Sequence, residues 1–321
     1  MKTPTLTVRV VRKTAEATDI ATFELVDAQG DALPPFSAGA HIDVHLPNGL
    51  VRQYSLCNDS AETHRYLIGV LRDPASRGGS LAMHDLVNEG DILQISAPKN
   101  HFPLAHEARR SLLLAGGIGI TPILCMAERL AISGAEFDLH YCTRSPARTA
   151  FRNRIRGSAF TSRVHFHFDD GDAAQKLDIA ATLDKVEDGT HLYVCGPKGF
   201  MNAVLDTARA AGWPEAQLHY EFFAADVGPS DSDESFEVKL ASSGRVIKVE
   251  KDKTIITALA AAGVEIPFSC EQGVCGTCLT RVLEGVPDHK DNYLTPEEQA
   301  ANDQLLPCCS RARSPMLVLD L

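Results

Sequence analysis

Three cysteines in the run C-E-Q-G-V-C-G-T-C, Cys270, Cys275 and Cys278, are spaced C-x4-C-x2-C, and Cys308 and Cys309 follow after a gap of 29 residues. This is the plant-type spacing for a two-iron, two-sulfide cluster. Soft thiolates hold iron, while Gly273 and Gly276 let main-chain N–H groups approach the cluster sulfurs. Four thiolates could also close a tetrahedral zinc site. Zinc ribbons use paired CxxC knuckles, however, and only the Cys275/Cys278 half has that form. Cys308 and Cys309 compete for the fourth position.

A second constellation lies near the start of the chain. R-Q-Y-S (Arg52, Tyr54, Ser55) is followed by S-R-G-G-S (Ser76 to Ser80) at an expected helix start. A strand can present Tyr54 and Ser55 to a flavin ring while Arg52 reaches a phosphate, and the Gly78-Gly79-Ser80 turn offers N–H groups and a helix N-terminus to that phosphate. A third lies in the middle. A-G-G-I-G-I-T-P (Ala115 to Pro122) follows an apolar strand and opens a helix, so its glycines could let main chain approach a pyrophosphate. V-C-G-P (Val194 to Pro197) ends a later strand and could set Cys195 beside a nicotinamide ring.

The elements that must position these residues fall into three segments. Up to about residue 105 the chain reads as short alternating strands (TLTVRVVRK, ATFELVD, AHIDVHL, VRQYSLCN, RYLIGVLRD, DILQISAP) with one helix near Ser80 to Leu86. That pattern suggests a small antiparallel β-barrel. Next, apolar strands alternate with helices: SLLLAGG, a helix from Pro122 to Ser133, FDLHYCT, a helix around Phe151, RVHFHFDD, HLYVCG and a helix from Lys198 to Ala211. Such alternation implies a parallel α/β sheet, which binds ligands at its strand C-termini. The run AADVGPSDSDES, with Asp226, Asp231, Asp233 and Glu234, reads as a self-repelling linker. After it come SFEVKLA, RVIKVEK, a helix from Ile255 to Ala262, the cysteine loop and a closing MLVLDL, a small ubiquitin-like sheet.

Composition bounds the reading. At 321 residues, with 44% hydrophobic and 23% charged residues, the chain suits two or three folded domains. A formal net charge of −11 argues against nucleic acid as a partner, since phosphate binding draws on clustered Lys and Arg. No stretch reaches the roughly 20 apolar residues of a membrane span, and the N-terminus alternates as a strand without the apolar run of a signal peptide. Nine cysteines, an odd number, without an export signal imply reduced thiols and a cytoplasmic protein.

Together with R-x-Y-S-L-C-N, the H-Y-E-F-F segment from His219 and the terminal L-V-L-D-L, these motifs resemble the phthalate dioxygenase reductase family of the ferredoxin–NADP reductase superfamily. Vanillate demethylase reductases share the layout, and the resemblance spans essentially the whole chain. It implies an FMN-binding β-barrel (1–106), an NAD-binding α/β domain (107–225), a linker (226–235) and a β-grasp plant-type ferredoxin domain with a [2Fe-2S] cluster (236–321). It also implies a cytoplasmic reductase passing electrons from NADH through FMN and the cluster to a separate terminal oxygenase of the Rieske non-haem iron type.

Residue by residue, the resemblance puts Arg52, Tyr54 and Ser55 at the flavin, Arg77, Gly78, Gly79 and Ser80 at its phosphate, Thr121 near the isoalloxazine and Phe223 on the ring face that meets the nicotinamide. Gly116, Gly117, Gly119, Thr143, Arg144, Ser145, Cys195, Gly196 and Pro197 would hold NADH, with Cys195, Thr121 and Glu221 catalytic. The fourth cluster ligand stands directly before x-S-R-A, which selects Cys308 and leaves Cys309 as buried filler. FMN is favoured over FAD because a terminal monoester carries nearly two charges for Arg77 and the helix start to neutralise. The chain departs from the family at Ser145, where a relative carries an acid after T-R. An acid there would bind a ribose 2′-hydroxyl and repel a 2′-phosphate.

Other functions compete. A reductase for a di-iron monooxygenase would use the same parts, and a non-turnover flavin and iron–sulfur redox sensor would lack need of the NADH motif. His165 and His167, alternating on a strand, read as surface or core-facing residues. Asp288 to Asp291 reads as an exposed polar loop, and Met201 as helix core.

Overall fold

The computed structural model describes residues 5–184, 187–224 and 233–321. The chain divides into two units, 1–221 and 222–321.

The first unit begins with β1 (Thr5–Ala17), β2 (Ile20–Asp27), β3 (His41–His45), β4 (Val51–Ser55), β5 (Tyr66–Leu71), helix α1 (Gly79–Leu86) and β6 (Ile92–Ser96). The strands form one antiparallel sheet in the order β4-β3-β6-β1-β2-β5. A bridge between Leu56 and Ile68 carries the end of β4 onto β5 and closes the barrel. Alternation is the cause of the arrangement: Val8, Val10, Phe23, Leu25, Ile42, Val44, Ile68 and Ile95 point inward and are almost wholly buried.

The same unit continues with β7 (Arg110–Gly116), α2 (Ile120–Ser133), β8 (Glu136–Thr143), α3 (Arg152–Arg156), β9 (Val164–Phe168), α4 (Ile179–Leu183), β10 (Thr190–Cys195), α5 (Lys198–Ala210) and β11 (Leu218–Glu221). These strands are parallel in the order β11-β10-β7-β8-β9. The central strands β7 and β10 are buried along nearly their whole length, as strands covered on both faces must be. Two expected bounds shift. Helix α2 starts at Ile120 because a 3-10 turn over Gly117–Gly119 runs straight into it, and Phe151 sits before α3 in the left-handed region (φ 58°). The strand β11 was not expected.

The second unit holds β12 (Phe236–Leu240), β13 (Val246–Val249), α6 (Ile255–Ala261), β14 (Thr280–Glu284), β15 (Pro287–Asp288), α7 (Pro296–Ala301), β16 (Gln304–Leu305), β17 (Arg311–Ala312) and β18 (Met316–Leu319). Its mixed sheet runs β13-β12-β18-β14-β16, with β12 and β18 parallel, and α6 packs Ile255, Ile256 and Leu259 into the core it forms. Phe236, Val238 and Leu240 face in while Glu237 and Lys239 face out. Thr254 caps α6 by accepting from the Thr257 N–H at 3.1 Å.

The break after Glu221 divides the H-Y-E-F-F segment: His219 to Glu221 complete the parallel sheet, whereas Phe222 and Phe223 belong to the second unit. That break stands four residues before the expected end at 225, because β11 pairs with β10 only through Glu221. Of the expected linker 226–235, Asp226 and Asp231 lie outside the described residues. Among the described residues, no helix is long and apolar enough to cross a membrane.

Candidate functional site

In the second unit Cys270 lies close enough to Cys275 for the two thiols to interact, and Cys308 interacts with both Cys278 and Cys309. The bond from Cys270 holds the Cys275 thiol down to about 6, and bonds from Cys278 and then Cys309 hold Cys308 down to about 4. Four neighbouring thiols in the C-x4-C-x2-C loop and at Cys308 supply the four-thiolate ligand set of a two-iron cluster. The donor set therefore fits a two-iron cluster. Cys309 lies in the core with its sulfur 3.6 Å from the Leu306 carbonyl, as a filler would.

The loop depends on its glycines. Gly273 and Gly276 are in the left-handed region (φ 70° and 68°), and a Cβ on Gly276 would stand 2.2 Å from Cζ of Tyr293. The main-chain N–H of Asn292 donates to the Gly273 carbonyl at 3.0 Å, tying the loop to its neighbour.

In the barrel, Arg52 is buried (5% exposed), and its side chain crosses the start of α1. A Cβ on Gly79 would sit 2.6 Å from its Cγ, so glycine is what admits the guanidinium stem there. Gly78 opens the helix in the left-handed region, the first turn carries no acidic residue, and Arg77 is exposed beside it. Two arginines and an uncapped helix start make a cradle suited to phosphate. The Ser80 hydroxyl accepts from the Asp73 N–H at 3.1 Å and meets Ser76 Oγ at 3.0 Å. It braces the turn.

At the C-terminal edge of the parallel sheet the two glycine loops interlock. A Cβ on Gly119 would fall 2.2 Å from the Cys195 carbonyl oxygen, one on Gly116 2.8 Å from Cδ of Pro197, and one on Gly196 2.9 Å from Cα of Gly116. Gly116 and Gly119, expected at a pyrophosphate, and Gly196 of the V-C-G-P turn thus also let the two loops pack closely. Gly117 alone of the A-G-G-I-G run has open space where a Cβ would go, with φ at 52°. Thr121 donates to the Ile118 carbonyl at 3.0 Å, so its hydroxyl caps the turn, while its methyl faces Gly69 of the barrel. Thr143 meets Thr149 Oγ1 at 2.8 Å, and the N–H groups of Asp169 and Asp170 donate to the carbonyls of Thr143 and Arg144 at 3.0 and 3.2 Å. Ser145 follows in this braced turn.

Cys195 is fully buried and stands in register with Ala115 on one side and Glu221 on the other. Burial, then the Glu221 charge, pushes its thiol well up, so it stays neutral. Burial likewise pushes the Glu221 carboxyl up to about 8, with the Ser55 hydroxyl donating to it and pulling the other way. One Glu221 oxygen, Oε2, is buried with no partner. An orphaned acceptor bounded by Ser55 and Cys195 is an opening for a ligand's polar edge. The barrel and sheet together thus offer a fit for a flavin and a nicotinamide.

The raised carboxyl has a measurable consequence. The folded chain keeps a proton that the unfolded chain releases from about pH 4.5, so Glu221 makes folding stability fall as pH rises to about 8, by at most about 5 kcal/mol. In urea unfolding, Glu221→Gln should flatten that decline, being more stable than the parent above about pH 8 and closest to it near pH 5. A constant offset at every pH would contradict a raised Glu221.

The fold and cysteine set define an electron-transfer oxidoreductase with a two-iron ferredoxin domain. Residues 238–313 match the family model of the 2Fe-2S iron–sulfur cluster binding domain, and residues 96–218 match the N-terminal domain of dimethylamine monooxygenase subunit DmmA-like proteins. The chain is 58% identical over 313 residues to a vanillate O-demethylase oxidoreductase of Pseudomonas putida, covering 97% of this chain and 98% of that one. It is 42% identical to a phthalate dioxygenase reductase of Burkholderia cepacia over 98% and 97% of the two chains. A solved phthalate dioxygenase reductase, described as a modular structure for electron transfer from pyridine nucleotides to [2Fe-2S], superposes with a TM-score of 0.81 at 42% identity, over 99% of this chain and 98% of that chain. The chain belongs to the phthalate dioxygenase reductase family, with the vanillate O-demethylase oxidoreductases among its near relatives.

Proposed function

We propose that this chain is the cytoplasmic, NADH-dependent reductase component of a Rieske-type aromatic-acid oxygenase or O-demethylase. The observation that carries the reading is the pair of redox sites one chain holds: a phosphate cradle and orphaned Glu221 oxygen in the first unit, and neighbouring cysteines in the second. FMN, when bound, would convert the hydride chemistry of NADH into single-electron chemistry. Arg52, Arg77 and the start of α1 neutralise its phosphate, and Tyr54 and Ser55 meet its ring. Cys195, Thr121 and Glu221 would line the reacting face. Cys270, Cys275, Cys278 and Cys308 hold the cluster.

The printed names of the relatives, vanillate and phthalate reductases, favour an aromatic-acid oxygenase over a di-iron partner. Reconstitution tests this: the purified chain with NADH should support vanillate demethylation or phthalate hydroxylation by a Rieske oxygenase. Turnover only with a di-iron hydroxylase would replace the partner, and none with either, despite reducible cofactors, would favour a sensor.

For the nicotinamide, Asp169 and Asp170 are joined to the Thr143–Arg144 turn by main-chain hydrogen bonds. An acid at that turn would favour NADH, since negative charge there opposes a 2′-phosphate. Ser145→Asp should sharpen the preference several-fold in relative kcat/KM. An unchanged ratio would remove the turn from the ribose site.

A further inference from the structure

His41, at the start of β3 and 4% exposed, is buried beside Glu221 and has no role in the chemistry above. Its Nδ1 lies 3.9 Å from Glu221 Oε1, and its Nε2 lies 3.2 Å from the Gln53 side-chain nitrogen. That same nitrogen donates to Asp43 Oδ1 at 2.9 Å, and Lys99 donates to Asp43 Oδ2 at 2.8 Å.

These contacts determine where the imidazole proton sits. Burial pushes the Asp43 carboxyl up, but hydrogen bonds from Lys99 and Gln53 outweigh it and hold the group below its usual range. An ionised carboxylate only accepts, so the Gln53 amide must turn its NH2 toward Asp43; the flipped amide would set a carbonyl against the charge. The second hydrogen of that NH2 then points at His41 Nε2, which must be the lone-pair nitrogen. The ring proton is left on Nδ1, on the Glu221 side. Burial, aided by His101 and Lys99 and opposed by Asp43, brings the ring down to about 4, so it is neutral at pH 7.

We propose that His41 is a positioning residue whose Nδ1–H, locked on that nitrogen by Gln53 and Asp43, is aimed at Glu221 and orients its carboxyl toward the reacting face. The proposal rests on the reductase reading above. Oxidising NADH to NAD+ releases two electrons and one proton, and an iron–sulfur cluster takes electrons only, so each turnover leaves one proton at the site once the electrons have departed. Glu221, raised to about 8, holds a proton at pH 7 and can take that one only in its ionised fraction, which an N–H dipole aimed at it enlarges. The charged or titratable groups around it are Cys195 on β10 and His41 on β3, with the Ser55 hydroxyl donating from β4 and Asp43, Lys99 and His101 reaching it only through His41. At 3.9 Å the N–H is too far for a direct hydrogen bond and acts as an oriented dipole that favours the carboxylate.

The test uses the full chain without flavin or nucleotide. Long-range proton–nitrogen NMR of 15N-histidine protein, with His41 assigned by its loss in His41→Asn, should show Nδ1–H and a bare Nε2 at pH 7. Carboxyl-carbon NMR should show the Glu221 titration moving up by about one unit in His41→Phe. It should return in His41→Asn, whose amide nitrogen occupies the place of Nδ1. In the loaded enzyme His41→Phe should slow steady-state electron delivery to cytochrome c about tenfold while flavin reduction by NADH and KM stay unchanged, and His41→Asn should recover it. An Nε2–H or doubly protonated ring, or an unmoved Glu221 titration in His41→Phe, would overturn the proposal. The reductase reading would survive either result; it fails instead if the parent chain, loaded with flavin, is not reduced by NADH.

Discussion

Cys275→Ser is expected to abolish electron delivery to a one-electron protein acceptor while NADH still reduces the flavin. Cys275 stands in the middle of the C-x4-C-x2-C loop, between Cys270 and Cys278, as one of the four thiols proposed to hold the cluster. Serine replaces a soft thiolate with a hard hydroxyl that is protonated at neutral pH, and iron loses a strong donor. The loss should stay local, because the barrel and the α/β sheet belong to the first unit and the cysteine loop packs within the second unit's own core. Cytochrome c reduction should fall to background, and anaerobic bleaching of the flavin by NADH should persist. A folded mutant whose flavin NADH no longer bleached would show that the two centres are not separate.

The second large effect belongs to Gly119→Ala. Its Cβ would fall 2.2 Å from the Cys195 carbonyl oxygen, 2.4 Å from the carbonyl carbon and 2.6 Å from the Gly196 nitrogen. All three are main-chain atoms of a strand pinned between β7 and β11, so no rotamer change relieves the clash. Overpacking against mobile side chains costs about 1–3 kcal/mol, and main chain should push the cost to about 3 kcal/mol or more. Gly117→Ala is the comparison. Its Cβ meets open space and only the positive φ opposes it, which costs about 1 kcal/mol. Urea unfolding should rank Gly119→Ala well below Gly117→Ala, and equal losses would contradict the interlocked loops.

The cysteine loop is legible in the sequence because ligand spacing is local chemistry, and β7 and β10 because buried parallel strands read as apolar runs. The loop glycines are legible as a close approach, but that Gly116 and Gly119 also meet Pro197 and Cys195, some eighty positions away, is not. Ser80 reads as a phosphate ligand by position, and that its hydroxyl also accepts from the Asp73 N–H and meets Ser76 Oγ is not legible in the motif. Strand β11 escaped because L-H-Y-E is too short for a period. Helix α7 carries a Thr295/Glu298 capping box, a readable start signal, but none of its residues is buried, so no apolar stripe marks it. The His41–Glu221 relation joins the barrel to the last strand of the sheet, and no local pattern announces it.

The most direct test of the two-centre account is an absorption spectrum of the purified protein before and after anaerobic NADH, with the released flavin identified by mass. The account predicts that flavin and iron–sulfur bands both bleach and that the flavin is FMN. A colourless, zinc-containing protein that had lost no cofactor during preparation would contradict it.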